Sequence, residues 1–241
     1  MNLPTFITLG RVFLAPVVGW LALSPDWSWR AVGFCLFVIA AVSDYFDGSL
    51  ARTRNQVTDV GKLLDPLADK LLLGCTMAVM YVLQAPAGEG AAGALVEHAR
   101  IASADVGRFP FEFGLGDTPV LITLPGIVVL IVLGRELAMT AFRQLAARRG
   151  VLIAAIGPAK WKTAFQSVWA GAGYTWFATL TLARTRGWEN DARWHVWASF
   201  NAMVGTACMV AAVVLTVWSL WLYARTYGPA VFAPARPSAR G

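Results

Sequence analysis

Carboxylates crowd one short stretch of this sequence. Asp44, Asp47, Asp59, Asp65 and Asp69 lie between residues 44 and 69, and Glu136 is the one further acid outside the segments read below as outer loops. Asp44 and Asp47 are three positions apart and Asp65 and Asp69 four apart, so each pair shares one face of a helix. Two such faces can meet. Four carboxylates left together at a membrane edge would repel one another and resist desolvation, and protonation or bound cations would relieve them. Cations are the favoured remedy. Hard oxygen ligands with no His or Cys nearby select magnesium, manganese or calcium over zinc or copper, and magnesium is expected, with manganese as its substitute. Two ions held about 4 Å apart would polarise a phosphoryl oxygen and stabilise the attacking and leaving oxygens of a displacement. Phosphoryl-type transfer is the chemistry such a cluster would serve.

The residues around the acids are small or basic. Gly48, Ala51 and Gly61 lie on the acid-bearing faces. Small side chains let helices approach closely in lipid, and they also let a flat ring or a diphosphate lie against backbone; the acids beside them favour ligand contact. Arg52 closes the same segment, where it either serves the helix end by snorkelling or dipole pairing or makes a salt link to a phosphate, the reading preferred here. Pro66 directly follows Asp65 and pushes it away from helical geometry, so a helix is expected to start near Asp65 or to bend there.

The elements that must carry these residues are membrane helices. The 241-residue chain is 57% hydrophobic and 14% charged, with a mean hydropathy of +0.58, too apolar to cover the surface of a soluble domain. A free cytosolic enzyme, a secreted disulfide scaffold and a disordered tail are excluded. Apolar stretches of membrane length run from Phe6 to Leu23, Trp29 to Leu50, Leu63 to Leu83, Val120 to Leu145, Trp161 to Leu182 and Val196 to Tyr223. The expected class is therefore all-α, an integral membrane bundle of six transmembrane helices. Residues 1–232 are read as one domain, interrupted by a Gly-rich, acidic extramembrane loop from Ala85 to Pro119 and followed by a disordered Pro- and Arg-rich tail over 233–241.

Six spans put both termini on one side. Arg52, Arg54, Lys62, Lys70, Arg143, Arg148, Arg149, Lys160, Lys162, Arg225, Arg236 and Arg240 fall on that side and Arg30, Arg100, Arg108, Arg184, Arg186 and Arg193 on the other, a bias that makes the first side cytoplasmic. The formal charge of +6 is thereby a matter of topology, and no nucleic-acid partner is expected. Cys35, Cys75 and Cys208 sit far apart in apolar runs and read as small packing residues. The N-terminus has no basic n-region or cleavage site, so the first apolar run is expected to remain in the mature protein.

Residues 44 to 69 spell D-Y-F-D-G-S-L-A-R, eight residues, then G-K-L-L-D-P-L-A-D. The stretch resembles the signature of the CDP-alcohol phosphatidyltransferase family at every fixed position. The resemblance implies that Asp44, Asp47, Asp65 and Asp69 are the ligands of two metal ions and that Asp69 is the general base. It implies that Gly48, Ala51 and Arg52 contact the CDP moiety, and that Thr58 touches the nucleotide as in some relatives. It further implies six spans, a homodimer, a bacterial inner-membrane location with the site facing the cytoplasm, and CDP-diacylglycerol as the donor. In the family reaction an alcohol hydroxyl attacks the lipid-side phosphorus of a CDP-linked lipid and CMP leaves.

Signature residues do not choose the alcohol, and a second basic site does. Arg135 lies inside an apolar run beside Glu136, Arg143 follows on nearly the same helix face, and Lys160 and Lys162 open the next span. An arginine so placed needs a partner, and Glu136, a helix carbonyl or an acceptor phosphate would serve. These four cations are read as the acceptor-phosphate site. The segments N-L-P-T-F-I-T-L-G-R-V-F-L-A-P at residues 2 to 16, G-R-E-L-A-M-T-A-F-R at 134 to 143 and K-W-K-T at 160 to 163 resemble the bacterial branch of that family whose acceptor is sn-glycerol 3-phosphate. Thr5 departs from the Asn common in relatives, and the loop over 85–119 is longer than in compact members. The alternatives are another acceptor in the same family, such as inositol phosphate, serine or phosphatidylglycerol, a divalent-cation transporter, and a catalytically silent scaffold. A transporter would continue its acids through the bilayer, and these sit at one face.

Overall fold

A computed structural model describes residues 3–53, 59–84, 111–113, 120–122, 126–154 and 157–232; side chains of residues 3–5, 44–53, 59–63, 65, 66, 84, 111–113, 120–122 and 158–160 are outside that description. The architecture is all-α apart from one short hairpin. Among the described residues six helices follow in order: α1 (Leu3–Ala22), α2 (Trp27–Thr53), α3 (Asp59–Gln84), α4 (Gly126–Arg148), α5 (Gly157–Arg186) and α6 (Ala192–Phe232). Strands β1 (Phe111–Phe113) and β2 (Val120–Ile122) pair antiparallel, with Phe111 opposite Ile122.

Local chemistry sets the helix ends. Asp26 caps α2 by accepting from the Ser28 amide at 2.9 Å, and Asp191 caps α6 by accepting from the Arg193 amide at 2.9 Å. Two helices close on a left-handed glycine. Gly150 (φ 73°) follows α4 and Gly187 (φ 68°) follows α5, each accompanied by an amide bonded back to the carbonyl five residues earlier, Val151 to Ala146 at 2.9 Å and Trp188 to Ala183 at 2.8 Å.

These boundaries bear on three readings. The fourth span was expected from Val120, yet residues 120–122 are strand and α4 starts at Gly126, one residue past Pro125; the β-branched Val120 and Ile122 suit a ladder, and proline favours a helix start over a helix interior. β1 falls inside the stretch read as an extramembrane loop, the rest of which lies outside the described residues, as does the tail 233–241. α3 begins at Asp59 and runs unbroken through Pro66 to Gln84, so Asp65 and Asp69 share one continuous helix.

Every helix has 20 residues or more, and 20 residues of helix rise about 30 Å. Among the described residues α6 alone combines that length with apolarity sufficient to cross a membrane; Phe6–Ala22 and Trp27–Ser43 are shorter apolar helical stretches. Charged ends on α2 and α3 shorten their apolar runs. The core lies between the helices, with Val18, Phe37, Met77, Met80, Trp169, Trp176 and Phe177 buried together, and Phe37 stacked on Tyr174 at 5.5 Å. Phe13, Trp20, Val196, Phe200, Val214, Trp218 and Trp221 point outward and are more than half exposed, the reverse of a soluble surface.

α1 packs against both α2 and α3, and α5 against α2 and α6. α1 is therefore the shared neighbour of the two acid-bearing helices. Its approach to α2 is close because Gly33 has no side chain: a Cβ there would lie 3.1 Å from the Leu21 Cβ and 3.6 Å from the Val18 carbonyl oxygen. At the same end Arg30 is buried and donates to the Ser24 carbonyl at 2.6 Å and the Thr181 hydroxyl at 2.5 Å, joining α2 to α5. Gly33→Val should force α1 and α2 apart at a cost of about 1–3 kcal/mol, seen as a lower unfolding midpoint in detergent. An unchanged midpoint would show that this contact is loose.

Candidate active site

Five helices converge on one cavity of about 130 Å³. Arg11 reaches it from α1, Phe37 from α2, Asp69 and Lys70 from α3, Glu136 from α4, and Lys162 and Gln166 from α5. One wall carries the acid predicted to do chemistry. Asp69 is half exposed, and its Oδ1 accepts from Arg11 Nη1 at 3.1 Å, while the Arg11 side chain is 4% exposed. The buried guanidinium thus holds a carboxylate that still faces the opening. α1 delivers Arg11 because it lies against α3 along its length.

The opposite wall is cationic. Glu136 Oε1 accepts from Lys162 Nζ and from Arg135 Nη1, the latter at 3.1 Å, and Arg135 Nη2 donates to Ser219 Oγ on α6 at 3.1 Å. The side chains of Arg135 and Lys162 are 6% and 4% exposed. Two buried cations share one carboxylate, so the group keeps a surplus of positive charge. Arg143 lies within electrostatic reach of Lys162 and is itself exposed. Lys70, next to Asp69, donates to the Thr140 hydroxyl, which donates to the Glu136 carbonyl at 2.7 Å. The acidic and cationic walls are thereby bonded to each other through α3 and α4.

Of the residues singled out from the sequence, the structure brings Asp69 and Lys162 to the same cavity. Arg135 is not on its lining. Its guanidinium goes to Glu136 and Ser219, one of the partners weighed for it, because a cation among apolar helices takes the nearest carboxylate. Asp44 and Asp47 lie on the α2 backbone with Gly48, Ala51 and Arg52, and Asp65 lies on α3; their side chains are outside the described residues, as is that of Lys160 in the first turn of α5. Thr58 is outside them altogether. The sequence reading passed over Arg11, Lys70 and Glu136 as site residues. Arg11 carried the same signal as Arg135, an arginine inside an apolar run, and could have been found by it.

Among the described residues no three His, Cys, Asp or Glu side chains gather to hold a metal. Asp69 suits a divalent ion as a hard oxygen donor facing the cavity. Asp44, Asp47 and Asp65 are hard oxygen donors of the same kind, carried by the two helices that each pack against α1.

The model of the family described as CDP-alcohol phosphatidyltransferase matches residues 1–218. The chain belongs to the CDP-alcohol phosphatidyltransferase family. Among curated proteins it is 29% identical over 93% of its length to "CDP-diacylglycerol--glycerol-3-phosphate 3-phosphatidyltransferase 1, chloroplastic/mitochondrial" of Arabidopsis thaliana, covering 62% of that protein. It is 31% identical over 67% of its length to the "CDP-diacylglycerol--glycerol-3-phosphate 3-phosphatidyltransferase" of Bacillus subtilis, covering 70% of it. It is also 29% identical over 93% of its length to "Cardiolipin synthase (CMP-forming)" of Oryza sativa, covering 57% of it. The chain thus spans about three fifths of the length of the two plant relatives. Overall identity does not separate the acceptors in this family, since relatives with different names match equally well.

Arg135→Ala would strip Glu136 of one cation and cut its tie to α6. Lys162 still neutralises Glu136, so the loss is that of charge-assisted hydrogen bonds worth about 1.5–3 kcal/mol, and the variant should unfold at a lower temperature in detergent than wild type. A midpoint within 1–2 °C of wild type, at roughly 2–4 °C per kcal/mol for a protein of this size, would contradict the burial of this network.

Proposed function

We propose that the protein transfers the phosphatidyl group of CDP-diacylglycerol to sn-glycerol 3-phosphate, forming phosphatidylglycerophosphate and CMP. The observation that carries this reading is the shared cavity of Asp69 and Lys162: a carboxylate suited to take a hydroxyl proton faces a buried cation suited to hold a phosphate. The family of the chain and the names of its Arabidopsis and Bacillus relatives support it.

In this reading Asp69 accepts the proton of the acceptor hydroxyl, whose oxygen attacks the lipid-side phosphorus. The new P–O bond forms as the bond to CMP breaks, and CMP leaves. Arg11 keeps the Asp69 carboxylate at the cavity. Lys162, Arg143 and Lys160 bind the acceptor phosphate, and Arg135 acts behind them through Glu136. Gly48, Ala51, Arg52 and Thr58 contact the CDP moiety. Two divalent ions, magnesium or manganese, held by Asp44, Asp47, Asp65 and Asp69 would neutralise the diphosphate of the donor.

The same reading makes residues 1–232 a single catalytic domain of six spans, working as a homodimer in a bacterial inner membrane with its site open to the cytoplasm. Six helices of membrane length and the apolar side chains on their outer faces support the spans.

Purified protein with magnesium should release CMP from CDP-diacylglycerol when glycerol 3-phosphate is added, and far less with inositol phosphate, serine or phosphatidylglycerol. Equal release with any of these would defeat the acceptor assignment. Chelation should stop the reaction and added magnesium restore it. Asp69→Asn should lower turnover by about 10²-fold or more, and near-normal turnover would remove Asp69 as the base.

A further inference from the structure

Lysine is a flexible tether for a charge. A lysine stem has many rotamers to lose, and an ammonium among apolar helices needs a counter-charge. Lys162 meets both problems through one residue. Glu136 Oε1 accepts from its Nζ, and Glu136 is held in turn at its carboxylate and at its backbone carbonyl. Arg135 holds the carboxylate and is pinned to Ser219 of α6. Thr140 bonds its carbonyl and receives Lys70, the neighbour of Asp69. The separation of acid and cation across the cavity is thus set through Glu136.

We propose that Glu136 is a positioning residue for the acceptor: it holds the Lys162 ammonium at the cavity wall, where the phosphate of the acceptor docks, without itself touching substrate. The inference rests on the glycerol 3-phosphate reading above. Because Arg135 and Lys162 share this one carboxylate, the pairing leaves positive charge over for a phosphate. A carboxylate that merely cancelled Lys162 would weaken phosphate binding, so its removal would help; a positioning carboxylate predicts the opposite sign.

The test is steady-state CMP release by the full chain in detergent with magnesium, comparing wild type, Glu136→Gln, Glu136→Asp and Ser219→Ala. Glu136→Gln should raise the KM for glycerol 3-phosphate at least tenfold while leaving the KM for CDP-diacylglycerol within twofold. Glu136→Asp should fall between it and wild type. Ser219→Ala, which removes only the far anchor of Arg135, should raise the same KM about threefold, and it decides the matter if Glu136→Gln does not fold. An unchanged or lowered KM for glycerol 3-phosphate, or equal movement of both KM values, overturns the positioning role while the functional reading stands. Wild-type protein that releases no CMP in response to glycerol 3-phosphate overturns both.

Discussion

Charge buried among apolar helices must be met by charge, and in this protein that requirement falls on Glu136. Arg135 on α4 and Lys162 on α5 are almost wholly withdrawn from solvent, and both turn to the one carboxylate between them. Ser219 on α6 completes the group. Removing Glu136 would strand two cations where water hardly reaches, at a cost far above that of an exposed pair. The relative placement of α4, α5 and α6 follows from this, and with it the position of the cavity wall that α5 supplies.

The other wall depends on α1. This helix is the shortest of the six, yet it packs on both α2 and α3, and it sends the buried Arg11 to Asp69. The cavity is thus lined by α1, α2 and α3, with Asp69 held by Arg11, and by α4 and α5, with Glu136 held by Lys162, and Lys70–Thr140 ties α3 to α4. The opposed signs suit a transfer reaction. The proposed donor brings a diphosphate that needs cations held by carboxylates, and the proposed acceptor brings a phosphate that needs cations from the protein.

Much of this was legible in the sequence because period and spacing carry it. The clustered aspartates fall on α2 and α3 as their three- and four-residue intervals require, and the apolar runs mark the helices. What was not legible depended on partners distant in sequence. Arg11 meets Asp69 across 58 positions and Arg135 meets Ser219 across 84, and no local pattern announces either bond. Arg135 and Glu136 are adjacent, and neighbours on a helix do not ordinarily face each other, so the sequence alone favours an acceptor phosphate over Glu136 as the partner of Arg135. Pro66 misled in another way. Its local preference is real, yet α3 starts at Asp59 and continues through it.

The central claim is that one small cavity holds both the acid that works on the acceptor and the cation that binds it. An experimental structure of the protein with glycerol 3-phosphate bound tests this most directly. The ligand should lie between α3 and α5, its phosphate on Lys162 and its free hydroxyls toward Asp69. Well-defined ligand density elsewhere, with Lys162 still closed on Glu136 and facing no phosphate, would contradict it.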